Sequence, residues 1–122
     1  MTLAERIFLL IAGASGALGV AFAAMAAHGN YADTLKICSE ILLVHAPALL
    51  AVAALLGGKT PKRVLFFAGF FIFIGLCLFC GDLALRTFVG SRLFPMAAPI
   101  GGGAMILGWT LVAISAFVPR LR

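Results

Sequence analysis

Charge is what this chain has least of. Only 11% of its 122 residues are Asp, Glu, Lys or Arg and 64% are hydrophobic, against about 25% and roughly 45–50% in a soluble globular domain. That scarcity excludes a soluble enzyme. Cysteine is sparse too: three residues, an odd number, argue against a disulfide framework, and Cys77 and Cys80 lie one helical turn apart, a spacing that does not favour a bridge. Ser15, Ser39, Ser91 and Ser115 are scattered and none sits in a nucleophile motif. Gly58-Lys59-Thr60 mimics the end of a phosphate-binding loop, but Ala53 stands where the upstream glycine is required and the run follows an apolar helix rather than a strand. No nucleotide site is read there.

What the chain has is long apolar runs. A membrane-crossing helix needs about 20 apolar residues, so four of them with short loops use up most of this length. Ile7 to Ala27 carries no charge, Leu35 to Gly57 is interrupted only by Lys36, Glu40 and His45, Val64 to Gly81 is uncharged and continues through Asp82 and Arg86, and Phe94 to Val118 is uncharged. The expectation is an all-α integral membrane four-helix bundle: one transmembrane domain over 1–122, with helices at about 5–28, 34–57, 63–88 and 94–118. The first run ends in small residues, as a signal peptide does, but it is too long for a typical h-region and is read as a retained helix. Gly29-Asn30 marks the first turn, Asp33 is expected to cap the second helix, Gly57 to Arg63 forms a hairpin, Val89 to Arg92 a loop, and Pro95 suits the first turn of the fourth helix.

The net charge of +5 would suggest nucleic acid in a soluble protein; here it reports topology, and no nucleic-acid partner is expected. Four crossings put both termini on one side. That side carries Arg6, Lys59, Lys62, Arg63, Arg120 and Arg122, while Lys36, Arg86 and Arg92 lie opposite. The excess places both termini in the cytoplasm of a multi-pass inner-membrane protein.

Small residues indicate packing. Ser15, Gly19, Ala23 and Ala27 recur at intervals of four, as do Ala97 with Gly101, Ala98 with Gly102 and Ala104 with Gly108, and such faces let backbones approach closely in lipid. The first face is expected to pack on the fourth helix or on a second protomer, with helices one and four central. Seven of the eleven Phe fall on the third helix, which is read as presenting a bulky face to lipid or a partner. Pro99 and the consecutive Gly101, Gly102 and Gly103 weaken regular helix; the expectation is a kink or packing site, with backbone contact to a ligand or a gating role as the alternative.

Ionisable groups in a membrane are expensive and generally face the bundle interior or water. His28, Glu40, His45, Asp82 and Arg86 all fall in the outer half and are the candidate ligand- or proton-binding residues. Cys38 and His45, seven apart, share a helix face, while Lys36 and Glu40 point away from it. Lys36 with Glu40 and Asp82 with Arg86 are spaced for local ion pairs. The sharper expectation is one outer-half pocket formed by His28, His45, Asp82 and Arg86 and closed by the glycine-rich start of the fourth helix. Cys38, His45, Cys77 and Cys80 are weak candidates for a copper or zinc site, and His28 with His45 for haem ligation. No cofactor is favoured.

Gly13-Ala14-Ser15-Gly16-Ala17-Leu18-Gly19-Val20 leading to Ala26-Ala27-His28-Gly29, then His45-Ala46, and finally Pro99-Ile100-Gly101-Gly102 with Gly108-Trp109, resemble the YgdD/YwdK-like family of small membrane proteins. The closing motifs are the most specific. The resemblance implies a four-helix bacterial inner-membrane protein with mitochondrial relatives and no established activity. The chain departs from the family at Ile41 and Leu42, where Tyr and Gln are usual, at Cys80-Gly81-Asp82, where Ser-Gly-Ser is usual, and at Pro47. A shared family ligand would therefore meet altered polar surroundings.

The leading functional expectation is a noncatalytic membrane protein, an accessory or ligand-binding subunit surrounded by lipid, either in a larger complex or as a homo-oligomer. The alternatives are a small transporter or permeability element using an outer polar cavity, and a membrane enzyme or metal- or haem-binding protein.

Overall fold

The computed structural model describes residues 1–29 and 33–119. Asn30, Arg120 and Arg122, which enter the turn and charge arguments above, lie outside them. The described chain is all-helical: α1 (Leu3–His28), α2 (Asp33–Leu56), α3 (Lys62–Phe88) and α4 (Ala97–Ser115), each long and apolar enough to cross a membrane.

Local chemistry sets the helix ends. Thr2 caps α1, its hydroxyl accepting from the Glu5 amide at 3.2 Å and donating to the Glu5 carboxylate at 3.0 Å, a reciprocal arrangement that satisfies groups an open helix end leaves unpaired. Asp33 is the first residue of α2 rather than its cap, where its carboxylate still suits the positive end of the helix dipole. The Thr60 hydroxyl closes the other end by donating to the Leu55 carbonyl at 2.5 Å. The fourth helix starts later than the apolar run implied. Met96, at φ 70°, turns the chain into α4, so Pro95 stays in the loop. Pro99 instead occupies the first turn, where a missing N–H breaks no intrahelical bond. That is why Pro99 and the three glycines run on as uninterrupted helix.

The layering reverses one expectation. In the most apolar stretches of α2 and α3, 39% of residues are buried, against 22% in α1 and α4. The inner pair is therefore α2 and α3, with α1 packed mainly on α2 and α4 on α3. Gly19 shows why: a Cβ there would lie 2.8 Å from Leu43 and 3.2 Å from Leu42. Gly19, at the centre of the small-residue face of α1, thus meets α2 rather than α4. On α4, Gly101 and Gly108 face α3, where added Cβ atoms would reach the Gly75 carbonyl at 2.7 Å and the Ala68 carbonyl at 2.8 Å. Each glycine row supports one pairwise contact, and a helix with one such row belongs at the rim. Phe66, Phe67, Phe70 and Phe88 on α3 are exposed.

The start of α1, the 57–61 hairpin and the end of α4 gather at one end. A Cβ on Gly57 would lie 3.4 Å from the Glu5 carboxylate, and Val118 and Pro119 share a cleft with Pro61 and Lys62.

Candidate functional site

Polar groups in a low-dielectric interior must find partners or carry a heavy penalty, so their partners reveal their use. His45 is 6% exposed. Its Nδ1 lies 2.8 Å from the Ile41 carbonyl one turn back, and its Nε2 lies 3.0 Å from the indole nitrogen of Trp109 on α4. An indole N–H can only donate. Nε2 is therefore the acceptor, and Nδ1 carries the hydrogen given to Ile41. Both ring nitrogens of a neutral imidazole are used, and a second ring proton would set two donors against each other. No Cα of α2 comes within 8 Å of α4 among the described residues. This hydrogen bond, with its edge-on ring contact at 5.8 Å, accordingly joins two helices whose backbones do not meet.

Asp82 is fully buried. One carboxylate oxygen accepts from Arg86 at 2.5 Å and the other from the Leu93 amide at 2.8 Å. The expected pair on α3 is present, and the same carboxylate also pins the loop leading into α4. Removing one member of such a buried pair leaves an uncompensated charge, so Asp82 has a clear structural task. The Arg86 side chain is 35% exposed, while its Nε is buried without a hydrogen-bond partner among the described residues.

The other candidates lie elsewhere. His28 is exposed at the end of α1, and Glu40 and Lys36 are exposed beside a cleft walled by Ala23, Ala27 and Leu43. No ion pair joins Lys36 to Glu40 among the described residues. His45 and Asp82 occupy separate contacts, one with Ile41 and Trp109 and the other with Arg86 and Leu93, and the cleft over Leu42 takes its lining from none of His28, His45, Asp82 and Arg86. The expected common pocket does not form: shared depth placed these residues at one level, but helix rotation turned them toward different neighbours. Gly101 is consumed in the α3 contact, whereas Cβ atoms on Gly102 or Gly103 would meet nothing within 4 Å.

The cysteines also separate. Cys38 and Cys80 face each other across α2 and α3, each thiol 3.6–3.7 Å from the other residue's carbonyl, while Cys77 is exposed. Among the described residues no group of three or more His, Cys, Asp or Glu is placed to hold a metal ion. The set Cys38, His45, Cys77 and Cys80 is corrected accordingly, because His45 is turned to Trp109 and Cys77 to the surface. Trp109 was not among the candidate site residues. It is the single Trp, and an indole N–H inside a membrane needs an acceptor, which is the signal that could have found it.

With this geometry in view, comparison with known proteins identifies the group. The model of a family described as protein of unknown function, DUF423, matches residues 12–102. The chain belongs to the DUF423 family. This DUF423 protein is 31% identical over 117 residues to a UPF0382 membrane protein of Haemophilus influenzae, covering 90% of this chain and 93% of that one. It is 25% identical to UPF0382 membrane protein YwdK of Bacillus subtilis, with 91% and 96% covered, and 25% identical to UPF0382 membrane protein SAB0533 of Staphylococcus aureus, with 92% and 96% covered. No solved structure matches. The DUF423 protein is thus a small multi-pass bacterial membrane protein. The family match contains His45, Asp82 and the start of α4, while Trp109 lies beyond it.

Proposed function

We propose that this DUF423 protein is a noncatalytic accessory subunit of the inner membrane, a single transmembrane domain over 1–122 that binds a partner or a small apolar ligand. The observation that supports this reading is the commitment of the buried His45 and Asp82 to partners within the fold. His45 ties α2 to α4 through Trp109 while its other nitrogen is held by Ile41, Asp82 ties α3 to the loop before α4 through Leu93 while pairing with Arg86, and the cleft over Leu42 among α1, α2 and α3 is walled almost entirely by apolar side chains. A transporter would need polar groups along a path, and an enzyme a reactive group free to act. Purification from native membranes in mild detergent, followed by mass spectrometry and metal analysis, tests the reading. A stoichiometric membrane-protein partner is expected; a stoichiometric metal or haem would overturn it.

The orientation belongs to the same proposal. Lys59, Lys62 and Arg63 and both termini face the cytoplasm, following the excess of Lys and Arg at that end. Reporter fusions after Gly58 should report a cytoplasmic location, and an external signal there would invert the assignment.

A further inference from the structure

One cleft among the helices lies away from the histidines. α1 and α3 meet through two aromatic contacts, Phe8 with Phe66 at 5.8 Å and Phe22 with Phe88 at 6.0 Å. Between these contacts the helices part, leaving a cleft of about 370 Å³ over Leu42 of α2. Its walls run from Ile11 to Phe22 on α1 and from Phe73 to Ala84 on α3, about 16 Å at roughly 1.5 Å rise per residue. The volume falls within the range of small-molecule sites, roughly 300–1,000 Å³. The two aromatic pairs bound it at either end.

One polar side chain faces this space without a partner. Ser15 is 6% exposed and lines the cleft, yet its hydroxyl makes no hydrogen bond among the described residues, whereas Thr87 and Thr110 each bond the carbonyl one turn back. A buried hydroxyl left unpaired in an apolar medium is costly, so an occupant carrying an acceptor would gain that bond. Depth narrows the occupant. Ser15 is midway along the 26-residue α1, hence near the centre of a hydrocarbon core about 30 Å thick, and the ester carbonyls of a phospholipid stay near the interface. Plain acyl chains carry no acceptor at that level.

We propose that the cleft binds a lipid-soluble carbonyl compound of the prenylated quinone class, with a ring carbonyl accepting from the Ser15 hydroxyl and the hydrocarbon tail lying along the α1–α3 walls. This rests on reading the chain as a noncatalytic ligand-binding subunit, and it names the ligand. Gly81 supplies a clean block: it lines the cleft, and a Cβ there meets nothing within 4 Å, so Gly81→Leu fills the space without disturbing a helix contact.

The test is native mass spectrometry of the full chain released from detergent, titrated with decylubiquinone and, in parallel, with decylbenzene, which has a ring and tail but no carbonyl. The expected result is one quinone per chain, about tenfold weaker binding in Ser15→Ala, none in Gly81→Leu, and weak decylbenzene binding that Ser15→Ala leaves unchanged. Melting temperatures without ligand should stay level or rise in both variants, since one loses an unpaired hydroxyl and the other fills empty space. Equal binding of quinone by the wild type and both variants, equal binding of decylbenzene and quinone, or no quinone binding would each overturn the proposal. If quinone binding fails while a protein partner co-purifies from native membranes, the ligand falls and the accessory-subunit reading stands. Quinone binding with no partner present would do the reverse.

Discussion

Two of the helix contacts that α3 makes are built on opposite principles. Toward α4, Gly75, Gly101 and Gly108 bring backbone onto backbone, so that an added Cβ at any of the three would fall within 2.8 Å of a neighbouring main-chain carbonyl. Toward α1, Phe8 meets Phe66 and Phe22 meets Phe88, and these rings leave the cleft between them. In lipid there is no hydrophobic force to close such a gap, because hydrocarbon chains are as apolar as the side chains around it. Glycine therefore produces a seam, and paired aromatics a window.

The seam is the easiest of these features to break. Gly101→Leu would drive a side chain into the Phe79 amide and the Gly75 carbonyl, atoms that cannot step aside as a flexible side chain can. A loss of about 3 kcal/mol or more is expected, at the upper end of overpacking effects, measured by denaturant titration of helicity in detergent micelles. Gly103→Leu, two residues away inside the same helix with open space around it, should leave stability level or raise it by up to about 1 kcal/mol through helix propensity. If the two variants melted alike, glycine would be acting on helix propensity alone and the seam would have no special standing.

A smaller effect separates the contact between His45 and Trp109 from both surfaces. His45→Ala and Trp109→Phe each remove one side of a hydrogen bond between helices that are not otherwise in backbone contact. Each should destabilise by about 1–2 kcal/mol through the group left unpaired. Interhelical hydrogen bonds in membranes average about 0.6 kcal/mol and reach about 1.7, so a double-mutant cycle should return a coupling of about 1 kcal/mol. Additive losses would mean that the two rings are merely adjacent.

The single-residue effects also sort what could be read in advance. Four apolar runs and the Asp82–Arg86 spacing concern one segment at a time, and the length, period and local pairing of a helix follow from its own residues. For the same reason His45 stood out, since an imidazole in an apolar run needs a partner wherever the helix goes. The partner's identity was not local. Trp109 is 64 residues away, and only the rotation of α2 and α4 about α3 brings its N–H to Nε2.

Chain order and composition by themselves determined that this protein lies in a membrane as four helices, because burying uncharged runs of this length in lipid leaves helix as the structure that satisfies every backbone group internally. Tertiary structure alone decided which helices are inner, that Gly19 meets Leu43 while Gly103 meets nothing, and that Asp82 and His45 serve different contacts instead of one pocket. Depth along a helix can be counted from the sequence, but rotation about its axis is set by which small residues another helix fills, and that choice exists only once the helices pack.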